Sequence, residues 1–585
     1  MFGFALILGS QPLPPLCRVN SPTPAIVTQN AARPLPRWAL LLLCLAYVVP
    51  GFVGRGPWKN ADVAAFGYMQ ELAHGHTAWL RPLLGGMPPE TDGLLPYWLG
   101  AWAIQITPDW LMPPEMAARL PFMALLVLTL AATWYGVYYL ARSPGAQPVA
   151  FAFGGEAKPS DYSRAIADGA LLALIACLGL AQLSHEATGY LAQLACATLI
   201  FFAVATLPYH TVAPAVAMVA GMAGLTLAGA PALATLLGVG SIALVAFAPA
   251  TPSERRLRWA VMLAIVTVLA AMLAWQLDLW RWRLLDTATQ GKEFKSLARL
   301  LLWFGWPAWP MAAWTLWRWR KQLFNRQVHR HLWLPLWFSI VSVGATLTTQ
   351  PADRALLVGL PAIATLAAFA LPTFRRSMAA LIDWFTLLFF SISALAIWVI
   401  WFAMQTGVPS KPAANVAKLA PGFTPEFSWL ALAVALAASL AWCRLVWWRA
   451  ARNRAAIWKS LVLPASGAAL GWLLLTTLWL PLLDYARSYA PQASQLASAL
   501  GPEPGCVQMV GLSRAQVAAL QYHASLRLQP ASRTTDCPWL VADNEAWPAP
   551  ENLVNPDLWT REATIGRPTD RKEFILLFRR AASPD

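Results

Sequence analysis

The sequence predicts a polytopic α-helical membrane protein of about thirteen spans, followed by a small α/β domain. Three observations predict it. Apolar runs long enough to cross a bilayer recur along most of the 585 residues. The chain is 58% hydrophobic and 12% charged, with a mean hydropathy of +0.50, where soluble domains carry roughly 25% charged residues. Beyond residue 482 the apolar runs stop, and short alternating stretches separated by Pro, Asn and Gly take over. The net charge of +15 does not indicate nucleic acid, because the Arg and Lys residues sit in short connections between apolar runs, where the positive-inside rule accounts for them.

Taken in order, residues 1–36 read as a disordered cytoplasmic tail rich in Pro and Ala. The opening "MFGFALILGS" lacks a basic start and a small-residue cleavage site, so it is not read as a signal peptide, and a misassigned start remains open. The spans fall at 38–54, 121–141, 167–184, 189–207, 211–228, 232–249, 258–276, 298–317, 332–349, 354–372, 378–404, 427–447 and 459–481. Placing the N-terminus inside puts "SERRLR", "WRWRKQLFNRQVHR", "FRRS" and "RLVWWRAARNRAAIWK" all on the cytoplasmic side, as the rule requires. The transmembrane domain then occupies 37–481, with its first periplasmic loop at 55–118.

Within that loop, 61–74 and 94–106 mix apolar and polar positions at helical spacing and read as helices lying along the membrane surface. Residues 482–585 read as a periplasmic domain of roughly a hundred residues. Its "LSRAQVAALQYHASLRLQ" is a helix, and "CPWLVADNEA" and "EFILLFRR" are strands. Of the seven cysteines, Cys506 and Cys537 lie in this segment and could pair if the compartment is oxidising. Most of the 32 tryptophans report the interfacial aromatic belt.

The ionisable residues on the periplasmic side include Arg55, Lys59, Asp62, Arg81, Glu90, Asp92, Arg119, His185, Glu186, Lys295 and Arg354. Charges beside hydrocarbon are costly and tend to be paired or functional. An acid close to several cations suits glycosyl transfer from a lipid-phosphate sugar. The acid takes a proton from the acceptor hydroxyl and the cations stabilise the departing phosphate.

The stretch "ADVAAFGYMQELAHGHTAWLRPLLGGMPPETDGLLPYWLGAW…EMAARLPF" resembles the first periplasmic loop of the GT-C membrane glycosyltransferases. The group it is most similar to is the bacterial lipid A aminoarabinose transferase and protein O-mannosyltransferase-like family. That family shows an Asp-Glu pair opening a surface helix, a Gly-Asp-Trp and Pro segment, Lys-Pro-Pro-Leu before Tyr-Trp-Leu, and Ala-Ala-Arg-Leu-Pro entering the second span. This chain has Asp62, Trp79 with Pro82, Tyr97-Trp98-Leu99 and Ala117-Ala118-Arg119-Leu120-Pro121 in the same order. The resemblance continues through "FGWPAWPMAAWTLWRWR" and "ADRALLVGLPAIATLAAFALPTFRRS" to about residue 400.

The resemblance implies a GT-C fold and an inverting glycosyltransferase of the bacterial inner membrane. Its donor would be an undecaprenyl-phosphate (polyprenyl-phosphate) sugar, and its acceptor a lipid, glycan or protein in the periplasm. It implies Asp62 as catalytic base and Glu186 as second acid, with Arg81, Glu90, Asp92, Arg119, His185 and Arg354 as substrate contacts. Plainer roles stand beside these. Asp62 could be a helix N-cap, Arg119 could snorkel to the interface, His185 with Glu186 could be a polar turn, and Arg354 could pair with Asp353. No metal-ligand spacing appears; His185 with Glu90 or Glu186 is the one combination that could take a divalent ion.

The chain also departs from the pattern. Val63 replaces the family's Glu, Asp92 stands where the family has a phosphate-contacting Lys, and Gly189 stands where it has Asp. Arg81, Lys59 or the cations at 281–295 could replace the lysine. Two other readings therefore remain: a transporter or flippase for a lipid-linked sugar, and a catalytically silent relative.

Overall fold

The computed structural model describes residues 23–91, 93–247, 253–280, 291–325, 327–349, 352–451, 456–532, 537–548 and 553–581. Among the described residues each predicted interval contains helix, because in hydrocarbon the backbone must satisfy its own hydrogen bonds. Nine fall on single helices, among them Leu120–Ala141, Gly189–Thr206 and Arg376–Thr406. Four are broken. The interval 167–184 holds the end of Pro159–Ala176 and the short Leu180–Leu183. The interval 298–317 divides into Gly291–Phe304 and Ala308–Arg318, and 354–372 into Ala352–Leu357 and Leu360–Ala370. Pro307 and Pro361 stand at the restarts, where a residue without an N–H fits the first turn and not the interior. The fourth, Lys459–Leu475, bends by 70° into Leu480–Arg487.

Among the described residues, six helices are long and apolar enough to cross a membrane, seven if the bent pair is one span. Four more apolar helices are shorter, including Arg37–Val48. The chain is thus a multi-pass membrane protein. Its layering is that of a membrane protein too. Every residue from Ala165 to Ala176 in the central helix is buried, whereas the peripheral helix Trp429–Ala451 leaves Trp429, Leu430, Leu440 and Trp447 exposed, a face for lipid.

The tail reading needs correction over its second half. Ala25, Val27 and Ala32 are buried, Thr28 bridges to Glu156, and the Leu35 N–H donates to Asp168 at 2.9 Å. Apolar side chains in this segment find a groove between helices, which composition cannot disclose. Residues 1–22 lie outside the described residues.

The two predicted loop helices appear as Ala61–Ala73 and Leu95–Ile106. In the C-terminal segment, strands β1 (Cys506–Val510), β2 (Arg527–Pro530), β3 (Trp539–Asp543), β4 (Trp559–Arg567) and β5 (Asp570–Arg580) form one sheet in the order β2-β1-β3-β5-β4. β1 runs parallel to β2 and β3, and β5 antiparallel to β3 and β4. Cys506 and Cys537 are disulfide-bonded. The helix Arg514–Ala524 starts with a capping box of Ser513 and Gln516, each side chain satisfying a free backbone N–H. This helix packs on Ala61–Ala73 at Gly67, where an added Cβ would lie 2.6 Å from the Ala518 Cβ. Two small residues let the helices approach closely and fix the first loop beneath the C-terminal sheet.

Candidate functional site

After Val48 the chain turns at Pro50 and Gly51 and leads into a buried ion cluster. Arg55 anchors the turn. Its Nε donates to the Gly51 carbonyl at 2.9 Å, its Nη2 to the His185 carbonyl at 2.6 Å, and its Nη1 to Asp62 Oδ2 at 2.7 Å. Asp62 is buried, and its Oδ2 also accepts the Trp58 N–H at 3.1 Å. Its Oδ1 accepts the Ala187 N–H at 2.8 Å. Arg119 lies 4.0 Å from the same carboxylate and donates to the Arg55 carbonyl. Asp62 therefore does not act as an N-cap: no side-chain cap bond forms at this helix start. It ties the loop before the helix to the turn that carries Glu186. Burial alone would raise its carboxyl, but Arg55 and Arg119 outweigh burial and hold it below the usual carboxylate range.

Glu186 has a different environment. Its Oε1 accepts from Gln182 at 3.1 Å and its Oε2 from Arg354 at 3.2 Å. Burial pushes its carboxyl up; Arg354 opposes this and the charge of Asp62 adds to it. Arg354 comes from the short helix Ala352–Leu357 and lies 5.1 Å from the centre of the Tyr190 ring. Two acids in one cluster are thus pushed in opposite directions, the usual arrangement for dividing proton-transfer roles.

Three of the anticipated substrate contacts are not found in this cluster. His185 faces the core between Tyr47, Phe52 and Trp472. Its ring nitrogens lie 2.5 Å from the Ala181 carbonyl and 3.0 Å from that of Tyr47, and burial pushes the imidazole down to about 4. Gly51 makes room for it, since a Cβ there would meet the ring at 2.2 Å. Arg81 and Glu90 are exposed, because the 77–90 loop turns outward to meet the C-terminal domain, where the Arg514 Nε donates to the Pro88 carbonyl. Asp92 lies outside the described residues, as do Arg281, Arg283 and Asp286, and Lys295 is exposed. Among the described residues no group of three or more His, Cys, Asp and Glu could hold a metal ion.

Gly189, which stands where the resembled family has an acid, opens the helix Gly189–Thr206; a Cβ there would sit 3.3 Å from Thr91 Oγ1 and 3.6 Å from Pro96, so only the Thr91 side chain would have to give slightly.

Sequence reasoning gave no role to four residues. Arg55 was one cation among many. Trp58 read as belt. Asp484 and Arg487 lie in the polar stretch after the last span, more than 400 positions away in sequence. Asp484 accepts the Gly56 N–H at 3.1 Å and the Trp58 Nε1–H at 2.5 Å. The guanidiniums of Arg55 and Arg487 lie 4.5 and 5.1 Å from the centre of the Trp58 ring. The only sequence signal was an acid and a base close after an apolar run.

No family profile and no curated protein matches the sequence. Solved structures do match in fold. ArnT from Cupriavidus metallidurans, crystallised bound to undecaprenyl phosphate, superposes with a TM-score of 0.59 at 16% identity, covering 94% of this chain and 99% of that one. Its apo form gives 0.59 at 15% identity, covering 92% and 97%. The chain has the GT-C fold that its first loop led us to expect.

Proposed function

We propose that this protein is a membrane glycosyltransferase that moves a sugar from a polyprenyl-phosphate donor to a lipid, glycan or protein acceptor on the periplasmic face of the inner membrane. The observation that carries the reading is the paired cluster, Asp62 with Arg55 and Arg119, and Glu186 with Arg354, buried at the edge of the spans. The bound undecaprenyl phosphate of ArnT, whose fold this chain shares, supports the donor class. The Cys506–Cys537 disulfide supports an oxidising compartment for the C-terminal domain, and with it the N-in orientation.

The reaction is a single displacement. The acceptor oxygen forms a bond to the anomeric carbon, the carbon–oxygen bond to phosphate breaks, and polyprenyl phosphate leaves with the electron pair. The acceptor's proton goes to Glu186. That carboxyl is pushed upward by burial and each of its oxygens has a single partner, so it suits a base better than Asp62, whose oxygens already hold three donors. Asp62 becomes a positioning residue: through the Ala187 N–H it fixes the turn next to Glu186.

The test is turnover of radiolabelled undecaprenyl-phosphate sugars by the purified full-length protein. Glu186→Gln is expected to lose roughly 10²–10⁴-fold in kcat while still binding undecaprenyl phosphate. Unchanged turnover in that variant would remove Glu186 as base. A wild-type protein that neither binds undecaprenyl phosphate nor transfers any sugar would refute the glycosyltransferase reading itself.

A further inference from the structure

The cations gathered around the buried acids are already occupied. Arg55 and Arg119 face Asp62, and Arg354 faces Glu186. Lys59 lies 3.6 Å from Asp570. The remaining acid, Asp484, is taken up by the Gly56 N–H and the Trp58 indole. Arg487 is different. Among the described residues no carboxylate lies within the 4.0 Å ion-pair distance of its guanidinium, which rests over the Trp58 ring and feels the charges of Glu186 and Arg55.

We infer that Arg487 binds the phosphate of the polyprenyl-phosphate donor, the role that the resembled family gives to a first-loop lysine and that Asp92 cannot fill here. The inference rests on the glycosyltransferase reading above and names a residue within it.

Two features support it. Arg487 ends the short helix Leu480–Arg487, which the 70° bend turns away from the direction of the preceding span. A cation at a helix C-terminus often serves only to meet free carbonyls. Here the last two carbonyls have other donors: Ala486 accepts from Arg567 Nη1 at 2.9 Å and Thr569 Oγ1 at 3.0 Å, and Arg487 accepts the Lys59 N–H at 2.6 Å. The backbone is clamped between the first loop and the β4–β5 hairpin, while the guanidinium is left for an anion. A partly buried guanidinium stacked on an aromatic ring, with no hydrogen-bond partner for its fork of donors among the described residues, is pre-organised for bidentate phosphate binding.

The experiment measures binding of undecaprenyl phosphate, and separately of neutral undecaprenol, to the purified full-length protein in nanodiscs. Arg487→Met, Arg487→Lys and the surface control Arg571→Ala are compared with wild type, each checked by thermal unfolding. Arg487→Met is expected to weaken undecaprenyl phosphate roughly ten- to hundredfold and to leave undecaprenol unchanged, with Arg487→Lys intermediate and Arg571→Ala like wild type. Equal binding of undecaprenyl phosphate by wild type and Arg487→Met overturns the assignment. Should the Met variant fail to fold, Arg487→Lys decides: undiminished binding there, where a point charge replaces the fork, overturns the bidentate contact. Wild type that binds phosphate and alcohol equally overturns both this inference and the donor class it rests on, a result distinct from loss of the Arg487 effect alone.

Discussion

Replacing Asp62 by Asn separates a positioning acid from a catalytic one. Asn keeps the shape but removes the charge opposite two buried guanidiniums, Arg55 at 2.7 Å and Arg119 at 4.0 Å. The side-chain exposures across the closer pair are 1% and 2%, so water cannot compensate. Its amide can still accept the Ala187 N–H, but then its NH₂ points at Arg55 and the Trp58 N–H, two donors. Breaking one side of a buried ion pair typically costs about 3–5 kcal/mol, and the loss of a properly met N–H falls within that range. Asp62→Asn should therefore lower the unfolding midpoint of the purified protein measurably, and reduce turnover as a consequence. Adding Arg55→Met, which removes the orphaned charge, should recover part of the midpoint, since a buried pair exchanged for apolar groups is often near neutral. Midpoint and circular dichroism are read in detergent for wild type, Asp62→Asn and the double variant. A single variant with an unchanged midpoint and abolished turnover would refute the positioning role and return the base to Asp62.

The remaining expectations are compact. Because burial raises the Glu186 carboxyl, the acid limb of the kcat profile should lie above the ordinary Glu range near 4.3, turnover falling as pH drops through it; a limb that persists in the residual activity of Glu186→Gln would assign it elsewhere. Asp62 has the opposite sign: its carboxyl is depressed, so its contribution to stability is complete above the ordinary Asp value and is lost as pH falls through the folded value, which acid unfolding of wild type against Asp62→Asn reads out. Replacing both Cys506 and Cys537 by Ser opens a loop of 31 residues and should cost roughly 3–4 kcal/mol, seen as earlier unfolding and faster proteolysis of the C-terminal segment. Gly67→Leu drives a side chain into Ala518, 2.6 Å from the first added atom, and should destabilise by about 1–3 kcal/mol; a neutral effect would mean that the two helices do not meet as described.

The sequence alone determined, to within its breaks, where the helices lie. Hydrocarbon leaves the backbone no partner except itself, so an apolar run of sufficient length has one outcome, and prolines 307 and 361 mark the breaks that a hydropathy window smooths over. It put Asp62, Glu186, Arg119 and Arg354 among the candidate site residues, because their residue types and the landmarks "YWL" and "AARLP" sit in a recognisable order. Only the tertiary structure decided what each of them contacts. Asp62 meets Ala187 across 125 positions, and Gly56 meets Asp484 across 428. No local period encodes such pairs, yet they determine which carboxyl is held ionised and which is pushed toward its protonated form. The same folding turned His185 from a presumed substrate contact into a core side chain, and left Arg487, inconspicuous in sequence, beside the cluster with no acid within ion-pair distance among the described residues. The environment of an ionisable group is a property of what surrounds it in space, and here much of it comes from segments distant in sequence.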